Sequence, residues 1–247
     1  MIALRRWSDT LIVVIVIVLA WQALHAVVGN TALPGPVPTL DYLVHFVPTE
    51  RFAENAIETL ESFALALALA YAIGLSIGVW MGAHHLSGVV GEPILVAIYS
   101  MPKITLYPVI LLIFGLGISG KVAFGALHGI LPVALLTMSA IRNIPLVYLK
   151  AARSMRLSKW QTIRTVLFPA TVPEMVSGLR LGFTVTLLGV LLAEMFASKR
   201  GLGFLIINAV SILQTQEMLT VALVLFIFAA LANAFLLWIE HRLHHRA

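Results

Sequence analysis

The chain has 247 residues, of which 60% are hydrophobic and only 11% charged, whereas a soluble domain carries about a quarter charged residues. That leaves too little charge to wet a globule and excludes an ordinary soluble protein. The net charge of +5 is compatible with nucleic-acid binding until the basic residues are located along the chain, and the absence of cysteine excludes a disulfide framework, a thiolate metal site and a cysteine nucleophile.

Arg5 and Arg6 precede an apolar run that continues to residue 28. Ala23-Leu24-His25-Ala26 loosely mimics a cleavage site. The stretch nonetheless reaches the roughly 20 residues that a span needs, so a retained signal-anchor helix is expected. The next segment, 29–55, holds Pro34, Pro36, Pro38 and Pro48 and reads as an extended connector with a short helix. Further apolar stretches follow at 56–82, 94–118, 122–141, 175–197 and 218–239. Runs of this length are helices, because a lone strand cannot satisfy its backbone in lipid. The stretch 94–118 contains Lys103 and is interrupted by Pro102 and Pro108, with Pro93 just before it. A short interfacial helix followed by a short span is one reading of it. The expectation is an all-α, polytopic membrane helix bundle of about six transmembrane helices, one domain over 1–247.

Lysine and arginine set the orientation. With the N-terminus inside, Arg5, Arg6, Arg142, Lys150, Arg153, Arg156, Lys159, Arg164, Arg242 and Arg246 gather on one side. The other side holds Arg51, Lys121, Lys199 and Arg200. Both termini are therefore expected to be cytoplasmic, and the basic excess is topological, with no nucleic acid implied. In the second helix Ser62, Ala66, Ala70, Gly74, Gly78 and Gly82 recur every fourth residue, forming a ridge of small side chains that admits a neighbouring backbone. Gly178 and Gly182 repeat the spacing in the fifth.

The inside loop 142–173 is too polar to span and too regular for a floppy linker. Residues 149–153 suit a short helix, and Ser158 is placed to cap a second one carrying Trp160, Ile163, Val166 and Leu167 on one face. Pro169 and Pro173 are expected to end that helix before the next span. Such a pair of basic, one-sidedly apolar helices fits either a docking element for another protein or an interfacial helix on anionic lipid.

The loop resembles the EAA loop of binding-protein-dependent ABC importer permeases. Lys150-Ala151-Ala152 stands at the E-A-A position, Arg156 at the glycine, Ile163 at the apolar position and Phe168-Pro169 at Leu-Pro. Pro173, the run from Ser177 to Gly182, Ala193-Glu194-Met195-Phe196 and Gly201-Leu202-Gly203 are similar to the branch handling nitrate, sulfonates and taurine. The likeness extends from about residue 59 to the last span. Two residues depart from it: lysine replaces glutamate at 150, and arginine replaces a glycine at 156 that would permit a left-handed turn.

The resemblance implies a permease subunit of the inner membrane that performs no chemistry. It implies two cytoplasmic ABC ATPases carrying ATP and Mg, an extracytoplasmic solute-binding protein and a second permease copy. Lys150, Ala151, Ala152, Arg153, Met155, Arg156, Leu157, Ser158 and Lys159 would form the coupling surface. The chain itself has no GxxxxGK[ST] phosphate loop and calls for no cofactor. Polar residues inside spans are candidates for the solute pathway, because they are costly there. These are Lys103, Tyr107, Arg180 and Glu194, with Asn208 weaker; Glu58 and Glu61 are expected to mark the outer end of the second helix. His84, His85, His241, His244 and His245 fall at loop or tail positions and suggest no metal site. An ion-coupled secondary transporter is the rival reading, but it would need mid-membrane carboxylates and often internal repeats.

Overall fold

The computed structural model describes residues 2–30 and 32–244, and among these the ordered elements are helical. In chain order they are α1 (Ile2–Val28), α2 (Pro36–Phe46), α3 (Glu50–Ala83), α4 (His85–Ser100), a 3₁₀ turn (Lys103–Leu106), α5 (Tyr107–Phe114) and α6 (Ile118–Arg142). Then come α7 (Leu146–Ser154), α8 (Lys159–Thr162), a π-helical turn (Ile163–Leu167), α9 (Phe168–Ala197), α10 (Leu202–Ser211) and α11 (Thr215–His244).

Four helices are singly long and apolar enough to cross a membrane: α3, α6, the continuous rod from Trp160 to Ala197, and α11. The pair His85–Ser100 and Lys103–Phe114 qualifies together, bent by 87°. Pro102 causes the break, since it cannot continue a helix and drives Met101 to extended backbone (φ −69, ψ 141). Pro93 does not interrupt anything: it lies within α4. The helix thus starts nine residues before the apolar run suggests, the sequence expectation of 94 against an observed His85. The α2 helix falls in the proline-rich connector, as expected.

The core is the sandwich of α6 between α3 and α9. Small residues set its spacing. A Cβ on Gly74 would sit 2.8 Å from the Val133 side chain, and one on Gly78 would sit 2.7 Å from the Ala134 carbonyl. Ser62, Ala66 and Ala70 are fully buried on the same ridge, and Gly82 packs on Ile141. Across α6, Gly178 and Gly182 abut Leu136 and Val133. Gly125 and Gly129 of α6 receive Ala66 and Ala70 on one side and Val190 and Thr186 on the other. The two expected glycine ridges thus meet on a third, in α6, whose own four-residue glycine spacing is visible in the sequence. Dispersion between closely approaching backbones drives this packing, because lipid offers no hydrophobic gain between helices.

The end that the charge bias puts outside is tied by polar groups. Thr49 caps α3, its hydroxyl accepting from the Phe52 amide at 3.3 Å. Arg51 on the first turn pairs with the buried Glu217 of α11 at 2.8 Å, and Tyr42 of α2 donates to the same carboxylate at 3.4 Å. Burial first, and then the Glu217 charge, push the Tyr42 phenol above its usual range, so it stays a neutral donor.

Candidate functional site

On the opposite end, the expected coupling segment is a helical hairpin. Pro145 opens α7 in a position that needs no N–H. Ala152 is 1% exposed, whereas Lys150, Ala151 and Arg153 stand in the open. The α7 helix packs on the π-helical turn that precedes α9.

The end of α7 shows how arginine is accommodated at the usual glycine position. Arg156 takes φ +50, in the left-handed region. The Arg156 amide donates to the Arg153 carbonyl at 3.0 Å, and the Leu157 amide donates to the Ala152 carbonyl at 3.1 Å. These two bonds define a Schellman cap, whose left-handed residue is usually glycine. The geometry therefore survives the substitution, held by its hydrogen bonds against a steric cost of roughly 1–2 kcal/mol.

Ser158 then starts the second helix as the sequence indicates. Its hydroxyl accepts from the Gln161 amide at 3.3 Å, and its own amide donates to Gln161 Oε1 at 2.9 Å. This reciprocal pair is a capping box. The side chain of Lys159 lies outside the described ones. Pro169 and Pro173 do not end the helix: it runs unbroken from Trp160 to Ala197 over 38 residues. Pro169 falls in the first turn of α9, directly after the π-helical turn. There the Phe168 amide bonds five residues back, to Ile163. The wider turn takes up the clash a proline ring makes with the carbonyl four residues earlier. Pro173 lies inside α9.

The hairpin exposes an apolar strip, with Tyr148 45%, Met155 62%, Trp160 69% and Ile163 47% accessible. Arg153, Arg156 and Arg164 surround it, all exposed. Of the apolar face expected for the second helix, Trp160 and Ile163 are exposed, whereas Val166 and Leu167 are half-buried.

The candidate pathway residues are not brought together. Glu194 is fully buried at the outer end of α9. Thr59 of α3 donates to both its oxygens (2.9 and 3.0 Å), and the Gly203 amide donates to Oε2 at 3.0 Å. Lys121 of α6, 1% exposed, lies 3.6 Å from Oε1 and donates to Glu58 at 3.0 Å and to the Arg200 carbonyl at 2.9 Å. Asn55 accepts from the Gly201 amide at 2.7 Å, and the Thr59 hydroxyl accepts from the Leu202 amide at 2.8 Å. Three successive amides of Gly201-Leu202-Gly203 are thereby clamped to α3 and α9 at the start of α10. Gly201 has φ +116, and a Cβ there would collide with the Glu194 carboxyl group. Only glycine meets both conditions. Glu194 acts as an anchor in this geometry. Glu58 does not mark the end of the second helix, which begins two turns earlier at Glu50; it turns inward to Lys121, while Glu61 is exposed. The α10 helix and this clamp have no counterpart among the sequence expectations, although the paired glycines at 201 and 203 signal them.

Tyr107 is buried and donates to the Ala193 carbonyl at 2.8 Å, beside the clamp. Lys103 folds back on the end of α4, donating to the Tyr99 carbonyl at 3.0 Å with its ammonium 4.6 Å from the Tyr99 ring centre. Arg180 lies toward the other end of α9, its Nε 2.8 Å from Glu240 of α11. Asn208 is on α10. Among the described residues no group of three His, Cys, Asp or Glu side chains could hold a metal ion.

Comparison with known proteins agrees with this architecture. Residues 70–247 match the family model described as binding-protein-dependent transport system inner membrane component. The putative aliphatic sulfonates transport permease protein SsuC of Bacillus subtilis (strain 168) is 28% identical over 240 residues, covering 96% of this chain and 87% of that protein. The taurine transport system permease protein TauC of Escherichia coli (strain K12) is 28% identical, covering 85% and 78%. The nitrate import permease protein NrtB of Synechococcus elongatus is 27% identical, covering 76% and 71%. Among solved structures, a chain of the MetNI methionine ABC transporter in an inward-facing conformation superposes with a TM-score of 0.65 at 22% identity, over 83% of this chain and 98% of that one.

Proposed function

The chain belongs to the family of binding-protein-dependent transport system inner membrane components, multi-pass proteins of that membrane, and from that premise we propose that it forms the translocation pathway of an ATP-driven importer for a small sulfonate-, taurine- or nitrate-like solute. The three relatives whose names carry those solutes support the class.

In this reading two copies of the chain enclose the route, and each meets one cytoplasmic ABC ATPase through its α7–α8 hairpin. A solute-binding protein delivers cargo to the outer face. ATP and Mg are held by the ATPases, and the permease contributes no catalytic group. Closure of the ATPases pushes the two hairpins, and the bundle alternates between outward and inward openings.

One observation carries the proposal: the hairpin's exposed apolar strip is held rigidly. A Schellman cap and a capping box fix its two helices. The second helix continues as one rod through α8, the π-helical turn and α9 to the outer end. A push at Trp160 is therefore delivered through helix to the clamp at Glu194. A flexible loop with the same residues would absorb it. The small, exposed Ala151 lets a partner surface approach the α7 backbone closely.

The test is purification of the tagged chain from its own cells in mild detergent, with mass spectrometry of what accompanies it. An ATPase in equal molar amount is expected, and Ala151→Asp, on the exposed side of α7, should release it without lowering the amount of permease. A chain that purifies alone, even after crosslinking at Arg153, would sink the proposal in favour of an ion-coupled transporter.

A further inference from the structure

Polar groups stand on the α9–α11 side of the bundle, within the apolar helices Trp160–Ala197 and Thr215–Arg242. Arg180 uses Nε for Glu240 (2.8 Å), and Ser177 donates to the same carboxylate. Arg180 Nη1 reaches Asn233 Oδ1 at 3.5 Å. Thr184, one turn beyond Arg180, donates to the Arg180 carbonyl at 3.3 Å. Arg180 is 31% exposed, and Asn233 and Thr184 are both exposed on the surface of this chain. Asn233 lies 11 residues before the end of α11 at His244, about 16 Å along a helix axis.

Between the two helices is a cavity of about 340 Å³. Phe183, Leu187, Phe226 and Ala230 form its walls, and Thr184 and Asn233 bring polarity into it. The opposite face of α11 is apolar, with Leu231 67% and Phe235 60% exposed, as suits lipid. On the cleft side Phe226 is likewise exposed, beside the polar Thr184 and Asn233. Ionisable and amide side chains inside spans turn to a water-filled space or to another polar surface, and on this side the chain's own helices leave them open.

We propose that this cleft is a wall of the aqueous solute route and a contact site for small oxyanions. The proposal rests on the importer reading for its solute class. The Asn233 amide N–H groups in the cavity lining, and beside that lining the guanidinium edge of Arg180 not engaged by Glu240, are the donors that would meet sulfonate or nitrate oxygens. Glu240 aims the guanidinium and balances its charge while the site is empty. Conduction needs such a balance, because a site that holds an ion too firmly does not release it. Lys103 and Glu194, engaged elsewhere, take no part.

The chain contains no cysteine, so single substitutions report unambiguously. Asn233→Cys, Thr184→Cys and the lipid-side control Leu231→Cys are exposed to a membrane-impermeant thiosulfonate bearing a sulfonate group, in everted membrane vesicles. Because only the hydrated thiolate reacts, the Asn233→Cys and Thr184→Cys variants should be labelled about tenfold faster or more than the control. Labelling of Thr184→Cys should favour the sulfonate reagent over its quaternary-ammonium analogue, and Arg180→Gln should lower that preference several-fold. Equal, slow labelling at all three positions would place the cleft in lipid and overturn the proposal. Fast labelling with no charge preference, unaltered by Arg180→Gln, would overturn the oxyanion assignment. Because labelling requires no ATPase, absence of a co-purifying ATPase would defeat the importer reading while leaving a fast-labelled wall intact.

Discussion

Replacing Glu194 by glutamine keeps its shape and removes its charge, and the structure says what that costs. The carboxylate is fully buried and accepts from Thr59 and from the Gly203 amide, with the buried Lys121 3.6 Å away. Glutamine can accept through one oxygen only, and it turns an NH2 toward a donor. One charge-assisted hydrogen bond is lost, worth roughly 1.5–3 kcal/mol. Lys121 keeps Glu58 and the Arg200 carbonyl, so the larger penalty for stranding a buried charge, about 3–5 kcal/mol, is not incurred. A net loss of about 2–3 kcal/mol follows, equivalent to a fall in Tm on the order of 5–10 °C for a domain of this size. Thr59→Val, which removes the hydroxyl that bridges Glu194 and the Leu202 amide, should cost a similar amount. The two together should cost less than their sum, because they share one network. Thermal melting of the purified protein in detergent provides the numbers. An unchanged Tm for Glu194→Gln, accompanied by lost transport, would refute the anchor and restore Glu194 to the solute pathway.

Arg156→Gly should stabilise the hairpin by roughly 0.5–1 kcal/mol, as glycine relieves the left-handed strain at the cost of its own unfolded freedom; slower hydrogen exchange at the Leu157 amide is the check, and faster exchange would contradict the cap. Ser158→Ala should loosen the start of α8 by about 1 kcal/mol through loss of the capping box, read as faster exchange at Gln161 with no change near Glu194. Gly182→Leu drives a side chain into Val133, where even a Cβ would collide, and overpacking of this kind costs about 1–3 kcal/mol or more. Ala68→Leu on the exposed side of α3 is the matched enlargement and should leave Tm unchanged.

Periodicity and local chemistry made the apolar helices, the small-residue ridges and the Ser158 cap legible from the residues alone, although among the described residues four helices, or five with the bent pair, meet the length and apolarity of a span where about six were expected. The ridge in α3 and the cap at Ser158 depend on neighbours three or four positions away, which a sequence displays directly. The left-handed Arg156 was legible in a different way, as a departure from the pattern that the loop resembles. What stayed hidden depends on pairing across the bundle. Hydropathy marks Glu194 and Arg180 as costly, and the charge count places Lys121 among the outside charges, but their partners lie 135, 60 and 63 positions away, in Thr59, Glu240 and Glu58. Prolines misled in one direction only. Pro102 breaks its helix, whereas Pro93 and Pro173 are carried inside theirs, because surrounding packing decides whether a lost backbone bond is tolerated. Asn233 drew no attention in sequence, since one amide in an apolar helix acquires meaning only beside Arg180.

The most direct test of the account is site-specific photocrosslinking in living cells from a probe at Arg153, on the exposed side of α7. The account predicts one discrete adduct whose added mass is that of a single ABC ATPase, present with a probe at Arg153 and absent with one at Leu231 on the lipid face. An Arg153 probe that yields only lipid adducts would contradict it, and would mark the hairpin as a membrane-surface element.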